Sequence, residues 1–292
     1  MSRRAAEVAW IDEHVERTGE VEVVRVRPWA TVLRAPTAGG TVWMKAAGSG
    51  TAFEVPLYGV LAREVPERVL TPIASDVERA WLLLPDGGPS LGEQGAESDA
   101  LVAALVEYGR LQRRLEPFVD EMLALGVPDM RPAVMLARFH EALAATGRLP
   151  EVEAMEPTVV GWCERLAASP LPPSLDHNDL HPWNILEGPR YYDWGDSVVA
   201  HPFAAMLVPL SMLKRGREAA GDAYLEVFSD LAPHDVLVET LELACRVAKI
   251  ARTLTWDRAI QASREKGEPV DPDWASAPAE TLAGLLDDDP FG

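Results

Sequence analysis

The spacing of hydrophobic positions changes part-way along the chain. Residues 21–27 are rich in β-branched side chains and alternate apolar with polar, the period-two pattern of a strand. Residues 30–35 and 41–46 repeat it, and Thr37-Ala38-Gly39-Gly40 between them has turn composition, so a three-stranded antiparallel meander is predicted. A helix is expected before it, over 5–17. A second helix is expected after it, over 53–64, because Phe53, Leu57, Val60 and Leu61 share one helical face. Trp81 to Leu84 reads as a short apolar strand that stops at Pro85-Asp86-Gly87-Gly88, the composition of a hinge. Beyond it the helical period dominates, with helices expected over 99–115, 131–146, 153–168, 203–213, 217–231 and 235–264. The expected fold class is therefore α+β, with a small β-rich lobe over 1–88 and a larger helical lobe over 89–292. Segment 175–200 interrupts the helices with hairpin-like character and is dense in Asp, Asn, His and Trp.

Charge narrows the partners. Against 46 Asp+Glu stand 27 Lys+Arg, a formal net charge of −19, which repels phosphate backbones and anionic lipid heads. No nucleic acid or membrane partner is expected, and long-range steering favours a cationic small molecule. Cys163 and Cys245 both fall in expected helices, consistent with buried thiols in a reducing, cytoplasmic compartment. Glu7, Asp12 and Glu13 follow Arg3 and Arg4 where a signal peptide would need an apolar core, and His201, Pro202 and Pro209 break the longest apolar stretch. The acidic end, 287–290, is expected to fray.

The chemistry concentrates in His177-Asn178-Asp179-Leu180-His181-Pro182-Trp183-Asn184 and, after it, Tyr191-Tyr192-Asp193-Trp194-Gly195-Asp196. If the chain turns back as a hairpin, Asp179, Asn184 and Asp193 place three oxygen donors around one point. That suits Mg²⁺, a hard cation commonly held by one or two protein groups plus substrate phosphates. The spacing matches a kinase catalytic loop, H-x-D-x-x-x-x-N, followed by a D-x-G metal loop.

On these motifs the chain resembles the aminoglycoside phosphotransferase and choline kinase-like branch of the protein kinase-like superfamily, from about residue 21 to 264. The resemblance implies a two-lobed kinase-like fold and an ATP-dependent, Mg²⁺-requiring phosphotransferase. It implies that Asp179 is the catalytic base and that Asn184 and Asp193 hold the metal. Lys45 would grip the nucleotide phosphates with Glu54 as its ion-pair partner, and Leu83, Leu84 and Asp86 would form the adenine-binding hinge. His177 would brace the loop. Asp196 reads either as a support for the metal loop or as a helix N-terminal acid, and Trp183 and Trp194 as packing. Trp256 with Asp257 offers an aromatic face beside a carboxylate, suited to a cationic acceptor or an amino sugar.

Departures from the family pattern refine the reading. Arg27-Pro28-Trp29 stands where protein kinases carry Gly-x-Gly-x-x-Gly, and Asn178 replaces the Arg of H-R-D. Five residues separate Asp196 from Pro202, too few for a long activation segment, so a small hydroxyl-bearing acceptor is expected: an amino sugar, a sugar or an amino alcohol. Two other functions compete. One is a nucleotide-binding pseudokinase or interaction module on the same scaffold; the other is a metal-dependent hydrolase using His177, Asp179 and His181 as ligands.

Overall fold

Ser2 opens the chain's first element: its hydroxyl accepts the Ala5 N–H at 3.2 Å and caps helix α1, Arg3–His14. The computed structural model describes residues 2–95, 98–147, 149–267 and 269–292. Three antiparallel strands follow as expected, β1 (Glu22–Arg27), β2 (Ala30–Thr37) and β3 (Gly40–Ala47), and then helix α2 (Glu54–Glu64). A short strand that periodicity did not reveal, β4 (Ala74–Asp76), pairs with β5 (Trp81–Pro85), giving the sheet order β1-β2-β3-β5-β4. β1 is exposed along its whole length although its alternation suggested a half-buried strand; it forms the sheet edge beside the cleft.

Period-two alternation decides what each strand offers to either side. Val42, Met44 and Ala46 of β3 pack with Trp81 and Leu83 of β5 and with Trp10 and Ile11 of α1 in a small separate core. Lys45, one residue out of phase, therefore points to the opposite, cleft-facing side.

The helical lobe begins with α3 (Ser98–Leu115), whose buried Leu101, Leu105, Tyr108, Leu111 and Leu115 form one stripe. It continues through α4 (Val119–Ala124), α5 (Met135–Thr146), α6 (Pro150–Glu153), α7 (Glu156–Ala167), α8 (Leu207–Met212) and α9 (Arg217–Leu225), and reaches α10 (His234–Lys266). This last helix is 33 residues long, about 50 Å at 1.5 Å per residue. The helix expected over 203–213 is divided, with a 3₁₀ segment (Pro202–Met206) opening it before α8. Two short C-terminal helices, α11 (Pro272–Ala275) and α12 (Ala277–Ala283), had no strong periodic signal.

Small sheets carry the polar loops. β7 (Ser174–Asp176) pairs antiparallel with β10 (Val198–Ala200), which pairs in parallel with β6 (Asp129–Met130). Between β7 and β10, the hairpin β8 (Ile185–Leu186) and β9 (Arg190–Tyr191) turns the chain back on itself. The principal core runs from α2 and β5 through to α10 without interruption at the hinge, so the lobes share buried apolar surface.

The acidic C-terminus is fastened rather than frayed. Arg246 binds the carbonyls of Asp287, at 2.7 Å, and Asp288; Arg217 pairs with Asp289 at 2.9 Å and lies over the Phe291 ring. Both cysteines are free and buried. Among the described residues no helix is long and apolar enough to cross a membrane.

Candidate active site

The β8–β9 hairpin brings the two polar loops together. Ile185 pairs with Tyr191, and the Tyr192 N–H donates to the Asn184 carbonyl at 3.3 Å, so Asn184 and Asp193 meet although eight residues separate them. Asn178 and Asp193 both adopt positive φ, 61° and 62°. Asn and Asp tolerate this left-handed region far better than most side chains, which gives the Asn in place of Arg at 178 a backbone reason. The Asn178 N–H donates to Asp176 Oδ1 at 2.6 Å, tightening the turn that presents Asp179.

His177 braces this turn. Its N–H donates to the Tyr108 hydroxyl at 2.8 Å, and its Nε2 lies 2.9 Å from the Tyr192 carbonyl, a contact that places the ring proton on Nε2. Its ring rests on Trp194, which is fully buried and donates from Nε1 to the Tyr191 carbonyl. Burial pushes the His177 ring below its ordinary pKa, so it remains neutral. Trp194 thus packs the loop as expected. Trp183 instead stands half exposed on the cleft wall, against Gly92, where any Cβ would collide with the indole.

Lys45 links the lobes. Its Nζ lies 2.6 Å from Glu54 Oε2 and 2.5 Å from Asp193 Oδ1. Burial disfavours the ammonium, but Asp193 and Glu54 more than reverse this and raise its pKa, so the lysine stays charged. Burial also pushes Glu54 up to about 7, with Lys45 offsetting part of the rise. Asp193 is only partly buried; desolvation would raise its pKa, but the Lys45 ammonium outweighs this and holds it below the usual carboxylate range.

Asp179 has its own clamp, supplied by a residue that the sequence motifs did not reveal. Arg252 on α10 donates from Nη2 to Asp179 Oδ1 at 2.7 Å, and from Nη1 to the Asn178 carbonyl at 2.7 Å and to Asp196 Oδ2 at 3.2 Å. The other carboxylate oxygen lies 3.4 Å from His181 Nε2 and 3.3 Å from Asn184 Nδ2. Burial alone would raise the Asp179 pKa; Arg252, with His181, reverses that and leaves it well below the usual range. Asp196 moves the other way, because burial and its acidic neighbours outweigh Arg252. Asp196 thereby shares the Arg252 clamp with Asp179.

Two cavities share this ground. One, about 330 Å³, is lined by Asp179, His181, Asn184, Asp193, Arg252 and Trp256, among others. The second, about 240 Å³, runs from Lys45 and Asp193 to Leu84, Asp86 and Gly87. Lys45, Asp193, Arg25, Glu93 and Tyr192 line both, so they form one continuous cleft between the lobes. At its floor, a Cβ on Gly87 would lie 2.3 Å from Leu186 Cδ1 and would displace that side chain.

Two of the expected positions lie elsewhere. Leu83 faces the α1 core, by the same alternation that turns Lys45 toward the cleft, and its carbonyl already accepts the Ile73 N–H at 2.8 Å. The Asp86 side chain lines the cleft, but its N–H is bonded to the Thr41 carbonyl. Trp256 lines the cleft beneath the Arg252 guanidinium, 5.1 Å from the ring centroid, whereas Asp257 pairs with Arg264 and lines a different cavity. A step of about 100° per helical residue separates these two neighbours. Arg25, Glu93 and Arg252 join the cleft from distant elements, and no sequence motif marks any of them.

The donor set can be tested against Mg²⁺. Asn184 spends its Nδ2 on the Asp179 carbonyl at 3.0 Å, which leaves its amide oxygen as the acceptor, and Asp193 keeps Oδ2 on the cleft side with Arg25 at 3.9 Å. One amide oxygen and one carboxylate fit a hard cation that completes its shell with phosphates and water. Among the described residues no three His, Cys, Asp or Glu side chains are grouped to hold a metal by themselves, so His177, Asp179 and His181 do not form the ligand set of a hydrolase.

Comparison with known proteins identifies the family and the fold. The model of the phosphotransferase enzyme family APH matches residues 31–230. Solved structures with the same fold include an ethanolamine kinase from Plasmodium vivax, at 9% identity and TM-score 0.67, covering 96% of this chain and 85% of that one. A choline kinase from Streptococcus pneumoniae aligns at 15% identity and TM-score 0.65 over 97% and 99%. A macrolide 2′-phosphotransferase from Brachybacterium faecium aligns at 17% identity and TM-score 0.60 over 97% and 98%. No curated protein matches. With the family model spanning more than half its length over a kinase-like two-lobed fold, the chain belongs to the APH phosphotransferase enzyme family and is a phosphotransferase acting on hydroxyl acceptors.

Proposed function

We propose that the protein transfers the γ-phosphoryl group of Mg·ATP to a hydroxyl of a small molecule. The observation that carries this reading is the convergence of Lys45, Asp179, Asn184 and Asp193 on one cleft, with Lys45 and Asp193 2.5 Å apart where its two cavities join. In this reading the adenine lies between Leu84 and Leu186 near the hinge, and Lys45, held by Glu54, binds the phosphates. Asn184 and Asp193 hold Mg²⁺, which when bound neutralises charge on the phosphate oxygens.

Asp179 receives the acceptor hydroxyl. Paired with Arg252 it is a weak base, which suits a loose transition state: it orients the oxygen in line and takes the proton as the new P–O bond forms. Arg27-Pro28-Trp29 takes the place of a glycine-rich loop. The hairpin tip is short, and Trp29 packs edge-on against Trp274 at 5.0 Å.

An acceptor screen that reads ADP release with Mg²⁺ tests the proposal. Acceptor-dependent turnover should fall by about 10²- to 10⁴-fold in Asp179→Ala while nucleotide binding persists. Mg·ATP binding with no phosphorylated product from any acceptor would instead mark a binding module, and turnover unaffected by Asp179→Ala would refute the assignment.

A further inference from the structure

The inner part of the cleft carries four carboxylates, on Glu93, Asp179, Asp193 and Asp196, and three cations, on Arg25, Lys45 and Arg252. Most are already engaged with one another. Arg252 bridges Asp179 and Asp196, Lys45 holds Asp193, and Glu93 Oε2 accepts the Ser90 N–H and hydroxyl at 2.8 and 2.9 Å. A chain with net charge −19 thus lines this cleft with nearly balanced charge, so the steering argument from composition does not hold locally.

Arg252 decides the balance. Its side chain is 14% exposed, and its guanidinium lies over Trp256, the aromatic face that a cationic substrate would otherwise use. An ammonium entering here meets the fixed positive charge of Arg252, while three of the four carboxylates are already ion-paired and the fourth, Glu93, is bonded to Ser90; like charges brought together at a desolvated site repel strongly. The wall offers other contacts: the flat rings of Trp29, Trp183 and Trp256, and the hydroxyl of Thr255. Rings of this kind pack against the C–H faces of an uncharged sugar ring while polar groups at the edges bind its hydroxyls.

We propose that Arg252 makes this acceptor site select a neutral, hydroxyl-rich ring compound of the sugar or polyol class and reject polycationic amino sugars. The proposal rests on the phosphotransfer reading for the location of the acceptor, but its test does not depend on turnover. Calorimetric titration without nucleotide compares kanamycin, a polycation, with maltotriose, a neutral probe of similar size, on the wild type, Arg252→Gln and Arg252→Lys.

Kanamycin should bind the wild type no more tightly than maltotriose. It should bind Arg252→Gln at least tenfold more tightly than the wild type, with an affinity that falls steeply as salt rises. Arg252→Lys keeps the positive charge and should show no such gain, which separates charge from packing. Kanamycin bound more tightly than maltotriose by the wild type overturns the proposal, and this arm needs no variant to fold. No gain in a folded Arg252→Gln also overturns it. A parallel titration with Mg·ATP isolates the other possibility: its failure would strike the kinase reading, while the comparison of the two probes would still report on the pocket.

Discussion

Lys45 illustrates how one side chain can belong to both lobes. It is fixed by β3 but ion-paired to Asp193 in the helical lobe, so its removal leaves Glu54 buried at 1% exposure without a cation and Asp193 without its anchor. Lys45→Ala should weaken Mg·ATP binding by about ten- to a hundredfold, the equivalent of a hydrogen bond to a charged group, measurable by calorimetry. Unchanged affinity would remove Lys45 from the nucleotide site. His201 supports a different prediction. Burial pushes its ring down to about 3 from an ordinary value near 6.5. Above pH 6.5 the ring is neutral in both states. As the pH falls from there toward 3, the unfolded chain takes up a proton that the folded chain refuses, and stability is lost at about 1.4 kcal/mol per pH unit. Between pH 7 and pH 5 this residue should cost about 2 kcal/mol. His201 Nδ1 accepts the Phe203 N–H at 3.2 Å, a contact that Gln can replace in His201→Gln. Denaturant titrations at the two pH values should show a smaller acid loss in the variant; an equal loss would place the acid sensitivity elsewhere.

At the scale of elements, the hairpin tip between β1 and β2 is held from two sides. The Trp29 carbonyl accepts from the Gly48 N–H at 2.7 Å and from the Thr51 hydroxyl at 2.9 Å, and its ring meets Trp274 on α11. Arg27 lies over the same Trp274 ring, 5.0 Å from its centroid. The C-terminal segment therefore reaches back to the part of the small lobe that replaces a glycine-rich loop. Aromatic pairs of this kind contribute about 0.5–1.5 kcal/mol beyond buried area. Trp274→Ala should accordingly raise the nucleotide KM by roughly two- to tenfold, with little effect on melting temperature because α11 is short and peripheral. A nucleotide KM equal to wild type would show that the tip holds its position without α11.

At the scale of the molecule, the two cavities proposed to hold the nucleotide and the acceptor form one cleft whose walls come from both lobes. A ligand that spans it binds the folded state alone, so it should add RT ln(1 + [L]/Kd), about 2.7 kcal/mol at a hundredfold excess over Kd. A chain of this size should gain roughly 2–4 °C or more in melting temperature with saturating Mg·ATP, and Lys45→Ala should lose most of that gain. No shift in the wild type would contradict nucleotide binding in the cleft.

Much of this was legible in the chain itself, for identifiable reasons. Strands and helices announce themselves by local period, so β1 to β3, α2, α3 and α10 were found within a few residues. Asp179, Asn184 and Asp193 lie in one stretch closed by a local hairpin, and Lys45 and Glu54 sit nine residues apart on consecutive elements. Those features depend on interactions between near neighbours, and the order of residues alone determines them. The clamp of Arg252 on Asp179 and Asp196, the turning of Leu83 toward α1, the parting of Trp256 from Asp257 and the fastening of the acidic C-terminus depend on which distant surfaces meet. Arg252 is 73 residues from the carboxylate it holds. Sequence thus determined the fold class and the local hairpin that carries Asp179, Asn184 and Asp193. Only the tertiary structure decided the charge of the cleft, because electrostatic pairing follows distance in space and not position along the chain.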